Sequence, residues 1–182
     1  MTNLSTTFLD VNGKRIDERP LIGNRQNLIE GLNRDLAGEY QAILMYTHYS
    51  AKLMGPYLFN LRSHFQVEIV EVLGHAQFLA DHVAALGGEP TVKPNPIPPA
   101  DKPREMLVQA LKAEKQAIAD YSERIRQAEH LNEINLKVGL EDQLAEETLH
   151  KKKLERILAG WDQLERVPTQ SENRWQDDGG QQ

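Results

Sequence analysis

Glu147-Thr148-Leu149-His150 sets a carboxylate and an imidazole three residues apart, a spacing that makes them neighbours on one face of a helix. Glu114 stands thirty-three residues before Glu147, and Tyr121 follows Glu114 by seven. Moved back by seventy-five residues, the set nearly recurs: Glu39 answers Glu114, Tyr46 answers Tyr121 and His75 answers His150. Glu147 alone has no match, because Val72 occupies its counterpart. The chain reads as a duplicated helical pair in which one carboxylate has been lost.

Working outward, apolar residues recur at helical steps around each of these positions. The first helix is expected from near Asn24 to about Leu53, with Leu28, Leu32, Glu39, Ile43 and Tyr46 inward. Gly31 and Gly38 inside it suggest close approach of another helix, and Gly55-Pro56 ends it. A second helix is expected from about Tyr57 to Leu86, stopped by Gly87-Gly88. Its stripe holds Leu61, Phe65, Glu68, Val72, His75, Leu79 and Leu86. The third runs from Asp101 and Pro103 to about His130, with Met106, Leu107, Glu114 and Tyr121 inward. Leu131-Asn132 makes a short reversal, and a fourth helix runs from about Glu133 to Ala159 with Gly160 as its stop. Between helices two and three, the stretch from Glu89 to Pro99 is too rich in proline for a helix or a central strand. Its length suits a crossover from one end of a bundle to the other. The expected organisation is an extended arm over 1–23, a four-helix bundle over 24–160 and a polar tail over 161–182.

Composition limits the function. At 182 residues the chain fits one domain with a continuous core. It has no cysteine, which excludes disulfides, iron–sulfur clusters and thiolate zinc sites. A formal charge of −6 argues against nucleic-acid or anionic-lipid binding. Lys14, Arg15, Arg19 and Arg25 in and beside the arm are offset by Asp10, Asp17 and Glu18. No basic-then-apolar leader opens the sequence and no apolar run suffices to cross a bilayer, so a cytoplasmic protein is expected.

The chemistry follows from the stripe positions. Glu39, His75, Glu114, Glu147 and His150 fall on faces otherwise made of Leu, Ile and Tyr. A lone Glu on each of two helices and Glu-x-x-His on the other two is the ligand plan of a di-metal carboxylate bundle. Buried carboxylates repel one another and resist ionisation, and divalent cations relieve both penalties. Mixed oxygen and imidazole donors suit iron or manganese. Tyr46 and Tyr121 lie two turns beyond Glu39 and Glu114, in reach of the opposite half's Glu or His; alternatively they are core tyrosines satisfied elsewhere. His48, His64, His82 and His130 lack partners in the echo and read as surface or packing residues. Lys151-Lys152-Lys153 reads as a surface paired with Glu147 and Glu155.

At these residues, and along His75-Ala76-Gln77-Phe78-Leu79-Ala80-Asp81-His82 and the Gly87-Gly88-Glu89-Pro90 that follows, the chain resembles the ferritin-like superfamily. It is nearest to bacterioferritin and Dps-like ferritins, from about Asn24 to Leu158. The resemblance implies an all-α ferritin-like four-helix bundle, a di-iron ferroxidase centre and homo-oligomeric assembly. In that family ferrous iron binds as a pair and is oxidised by dioxygen or peroxide, which limits Fenton chemistry. Without an apolar fifth helix, a dodecamer or smaller assembly is expected. Val72 stands where the family carries the bridging Glu of its first Glu-x-x-His. Glu71 and Glu68 are the candidate stand-ins, unless both are surface acids. Leu73 occupies the place of the family's haem-ligating Met, so no haem is expected. Two functions lead: an iron-oxidising protein, or an oxidation-impaired one holding a single ion on Glu114, Glu147 and His150 with a structural or partner-binding role; a di-metal oxygenase or catalase ranks last, for want of an organic-substrate signature.

Overall fold

The computed structural model describes residues 18–165. Four helices follow in order: α1 (Glu18–Lys52), α2 (Leu58–Ala85), α3 (Pro103–His130) and α4 (Ile134–Glu165). They form an all-α four-helix bundle of the ferritin-like fold, built from an α1–α2 hairpin and an α3–α4 hairpin.

The ends of the helices have identifiable causes. Gly87 adopts φ +84°, the left-handed conformation that glycine takes without a steric penalty, and its N–H closes α2 onto the Ala84 carbonyl. Pro103 opens α3, and the Glu105 carboxylate accepts from the N–H groups of Asp101 and Lys102 at 3.2 Å. Asn132, at φ 59°, makes the reversal between α3 and α4.

Two boundaries differ from expectation. Helix α1 starts at Glu18 rather than near Asn24, with Pro20 tolerated in its first turn. Helix α4 passes through Gly160 and continues to Glu165. The extra turn is anchored: Trp161 lies 4.3 Å from the Tyr57 ring, and Asp162 accepts from Arg104 at 2.7 Å. These contacts outweigh the roughly 1 kcal/mol that glycine costs in a helix. The rest of the expected arm and tail, residues 1–17 and 166–182, lies outside the described residues.

The proline-rich crossover runs along α1. Asn95 N–H donates to the Ala37 carbonyl at 3.0 Å, Tyr49 hydroxyl to the Pro98 carbonyl at 2.6 Å, and Lys52 to the Ala100 carbonyl at 2.9 Å. Successive rungs climb the helix, so the segment is an extended strap carrying the chain to the start of α3.

Two apolar clusters fill the bundle. One gathers Met45, Phe65, Leu107 and Leu154; the other gathers Leu32, Leu79, Leu136 and Leu140. Between them lies a layer of buried acids and histidines. Gly31 makes room for a side chain rather than for a close helix, since a Cβ there would strike the Arg124 guanidinium. Arg124 is buried against Asp35 at 3.4 Å and donates to Gln127 at 2.7 Å. Gly38 has no close helix beside it either: its missing Cβ would meet only Asn95, at 4.0 Å.

Candidate metal centre

Glu39 comes from α1, His75 from α2, Glu114 from α3, and Glu147 and His150 from α4; all five side chains are buried. Ligand atoms of Glu39, His75 and Glu147 lie within 4.8 Å of one another, as do those of Glu114, Glu147 and His150. Glu147 belongs to both sets. One of its oxygens faces His75 Nδ1 at 2.8 Å and the other faces His150 Nδ1 at 3.5 Å. A carboxylate with one oxygen turned to each histidine is disposed to bridge two ions.

The tyrosines close the arrangement across the halves. Tyr46 hydroxyl donates to Glu114 at 2.5 Å, and Tyr121 hydroxyl donates to Glu39. Each phenol therefore serves the other half's Glu, and burial holds both protonated well above the usual range. The outer imidazole nitrogens are served as symmetrically: His75 Nε2 lies 2.8 Å from Glu146, and His150 Nε2 lies 2.8 Å from Glu71. Those contacts orient both rings with Nδ1 inward.

Val72 is buried in the centre where its counterpart is Glu147. The two candidate stand-ins behave differently. Glu71 is largely exposed and reaches only the outer face of His150. Glu68 is 1% exposed, with Oε1 held by Lys153 at 2.8 Å and His64 at 3.0 Å, and Oε2 3.1 Å from His150 Nδ1. Glu68, Glu71 and His150 form a third set with ligand atoms within 4.8 Å. Reading Glu68 as a surface acid is thus overturned.

The charges of the layer favour cations. Burial, with Glu147 close by, pushes Glu39 up to about 8, and burial raises Glu114 well above the carboxylate range. Glu147 is held low: burial opposes its charge, but Glu114 and the histidines it faces, His150 and His75, prevail. Burial likewise disfavours charge on His75, yet Glu147 and Glu146 lift it to about 9. Divalent ions bound among these groups would relieve the crowding and expel protons. The donors fit such ions: hard carboxylate oxygens, two imidazoles and no sulfur. Buried His75 Nδ1, His150 Nδ1 and Glu68 Oε2 also have no hydrogen-bond partner.

A cleft of about 80 Å³ between α1 and α3 reaches Glu39, Glu114 and Glu147 past Gly38 and Ala117.

Sequence reasoning missed His64, Glu146 and Lys153. Lys153 pairs with Glu68 of α2 rather than with its helical neighbours, and His64 with the same carboxylate. The available signal was the failure of the seventy-five-residue echo at Glu68, whose counterpart is Gln143. As expected, His48 and His130 are exposed, and His82 bonds the Phe78 carbonyl at 2.9 Å.

Residues 29–164 match the ferritin-like domain family. This chain belongs to that family. Among solved structures, the ferritin-like protein resembles a ferritin-like, diiron-carboxylate protein from Bacillus anthracis str. Ames at 45% identity and TM-score 0.73, covering 74% of this chain and 97% of that one. It also resembles Rhodobacter capsulatus bacterioferritin at 27% identity and TM-score 0.72, covering 76% and 88%. That structure is described as having a metal-free dinuclear site and haem iron. No curated protein matches the chain. Among the described residues, no helix of this ferritin-like chain is long and apolar enough to cross a membrane.

Proposed function

We propose that this ferritin-like protein binds ferrous iron in pairs and oxidises it. In this reading Glu39, His75 and Glu147 hold one ion, and Glu114, Glu147 and His150 the other. Tyr46 and Tyr121 steady Glu114 and Glu39. Each ferrous ion gives one electron to dioxygen or peroxide, and the protein serves storage or detoxification. What carries the reading is Glu147, with one oxygen turned to each histidine between two buried carboxylates, Glu39 and Glu114. The family relationship and the diiron-carboxylate description of the Bacillus anthracis neighbour support it. Manganese suits the same donors, and Leu73 leaves no ligand for haem.

A cytoplasmic homo-oligomer, a dodecamer or smaller, completes the reading. Val67, Val70 and Leu73 line up exposed along α2, at 51%, 70% and 58% exposure, and suit burial against another subunit. The −6 charge argues against nucleic-acid binding.

Val72 favours a second reading, in which oxidation is impaired and one ion stays on Glu114, Glu147 and His150. Anaerobic Fe(II) titration followed by air separates the two. Two ions per chain and rapid growth of ferric absorbance support oxidation. One ion and no ferric signal, with oxidation appearing in Val72→Glu, support the second reading.

A further inference from the structure

The two halves of the bundle differ most around Val72, and four differences fall together. Val72 answers Glu147, Glu68 answers Gln143, His64 answers Gly139, and Lys153 answers Phe78. In one half a buried carboxylate is missing at 72, and another stands one turn earlier beside Lys153 and His64. In the other, Gln143 is buried and neutral, and Phe78 packs over Gly139. The acid has been displaced along α2 by about 6 Å.

We infer that Glu68 is a ligand of one ion only: it joins Glu114, Glu147 and His150 and leaves the second ion on Glu39, His75 and Glu147. The inference rests on the proposal that the centre takes divalent cations. Lys153 donates to Oε1 of Glu68 at 2.8 Å and His64 Nδ1 lies 3.0 Å from that oxygen, which leaves Oε2 to coordinate. That atom and His150 Nδ1 are 3.1 Å apart, both buried, and neither forms a hydrogen bond. Two donor atoms facing one point without bonding each other are arranged for a shared cation.

Glu147 is then the one carboxylate shared by both ions, and the two positions are unequal. The ion at His150 has four protein ligands and the ion at His75 has three. Binding proceeds in two steps, with the His150 position filled first.

Equilibrium titration of the full chain with Co(II), followed by calorimetry and visible absorption, tests this. The native chain shows two affinities. Glu68→Gln, which keeps the shape and a partner for Lys153, weakens the tighter step by about tenfold or more and spares the weaker. Glu68→Asp, which keeps the charge and shortens the reach, does the same. Glu39→Gln weakens only the second step. Unchanged affinities in both Glu68 variants, with Glu147→Gln still abolishing binding, overturn the assignment of Glu68 while the centre stands. If Glu147→Gln also leaves binding intact, the metal-binding proposal falls, and this inference with it.

Discussion

The α1–α2 and α3–α4 hairpins carry the same plan and keep it unevenly. Glu39 and Glu114, Tyr46 and Tyr121, His75 and His150, and Glu71 and Glu146 form matched pairs making matched contacts. At 72 and 147 the match fails, and the failure spreads to 68, 64 and 153. Symmetry survives where a side chain serves the opposite half and is lost where one half changed its own acid. A buried carboxylate in such a layer cannot be deleted or moved alone, because its partners were selected by its charge. Glu68 shows this: burial opposes its ionisation, yet His64 and Lys153 hold it below the usual carboxylate range.

The largest expected effect comes from the carboxylate shared by both sets. Glu147→Gln should abolish binding of both ions, whereas Glu39→Gln or Glu114→Gln should each weaken one position; calorimetric stoichiometry reads the difference. If the three variants behave alike, the halves are not joined through Glu147.

Val72→Glu comes next, because it restores the symmetry. Without metal the new carboxyl must stay protonated in the layer, at a cost of about 3 kcal/mol at neutral pH. Metal-free melting should fall accordingly, and saturating Mn(II) should recover the loss. A variant as stable as the native chain without metal would mean that position 72 is not part of the crowded layer.

A smaller effect follows from Glu39 at about 8. Its folded value lies above the unfolded one, so its contribution to stability is full below about 4.5 and is lost as pH rises through about 8. The metal-free protein should therefore lose denaturant stability between pH 5 and 8, and bound divalent ions should flatten that decline. A flat profile without metal would contradict the burial argument.

The smallest effect concerns the matched tyrosines. Tyr46→Phe and Tyr121→Phe each remove one buried hydrogen bond, worth about 1–2 kcal/mol. Similar losses in urea unfolding would support equal halves away from position 72, and unequal losses would extend the asymmetry to the phenols.

Much of this was legible in the sequence. Helical periodicity marked the stripes, because each buried position had a partner three or four residues away, and the proline run could only be a crossover. The five core ligand candidates stood out as acids and imidazoles where leucine was expected. The missing parts depend on packing between helices. Gly160 read as a stop because the contacts that carry α4 past it come from Tyr57 and Arg104 on other helices. Lys153 read as a surface lysine because its partner, Glu68, is eighty-five residues away. Local spacing holds no record of such a pair; the internal echo does, as a mismatch.

The most direct measurement is anomalous diffraction at the iron edge from crystals soaked anaerobically in Fe(II). The account predicts two peaks per chain, one beside each oxygen of Glu147, with Glu68 contacting only the peak at His150. Iron confined to the outer surface, with no peak beside Glu39, Glu114 or Glu147, would contradict it.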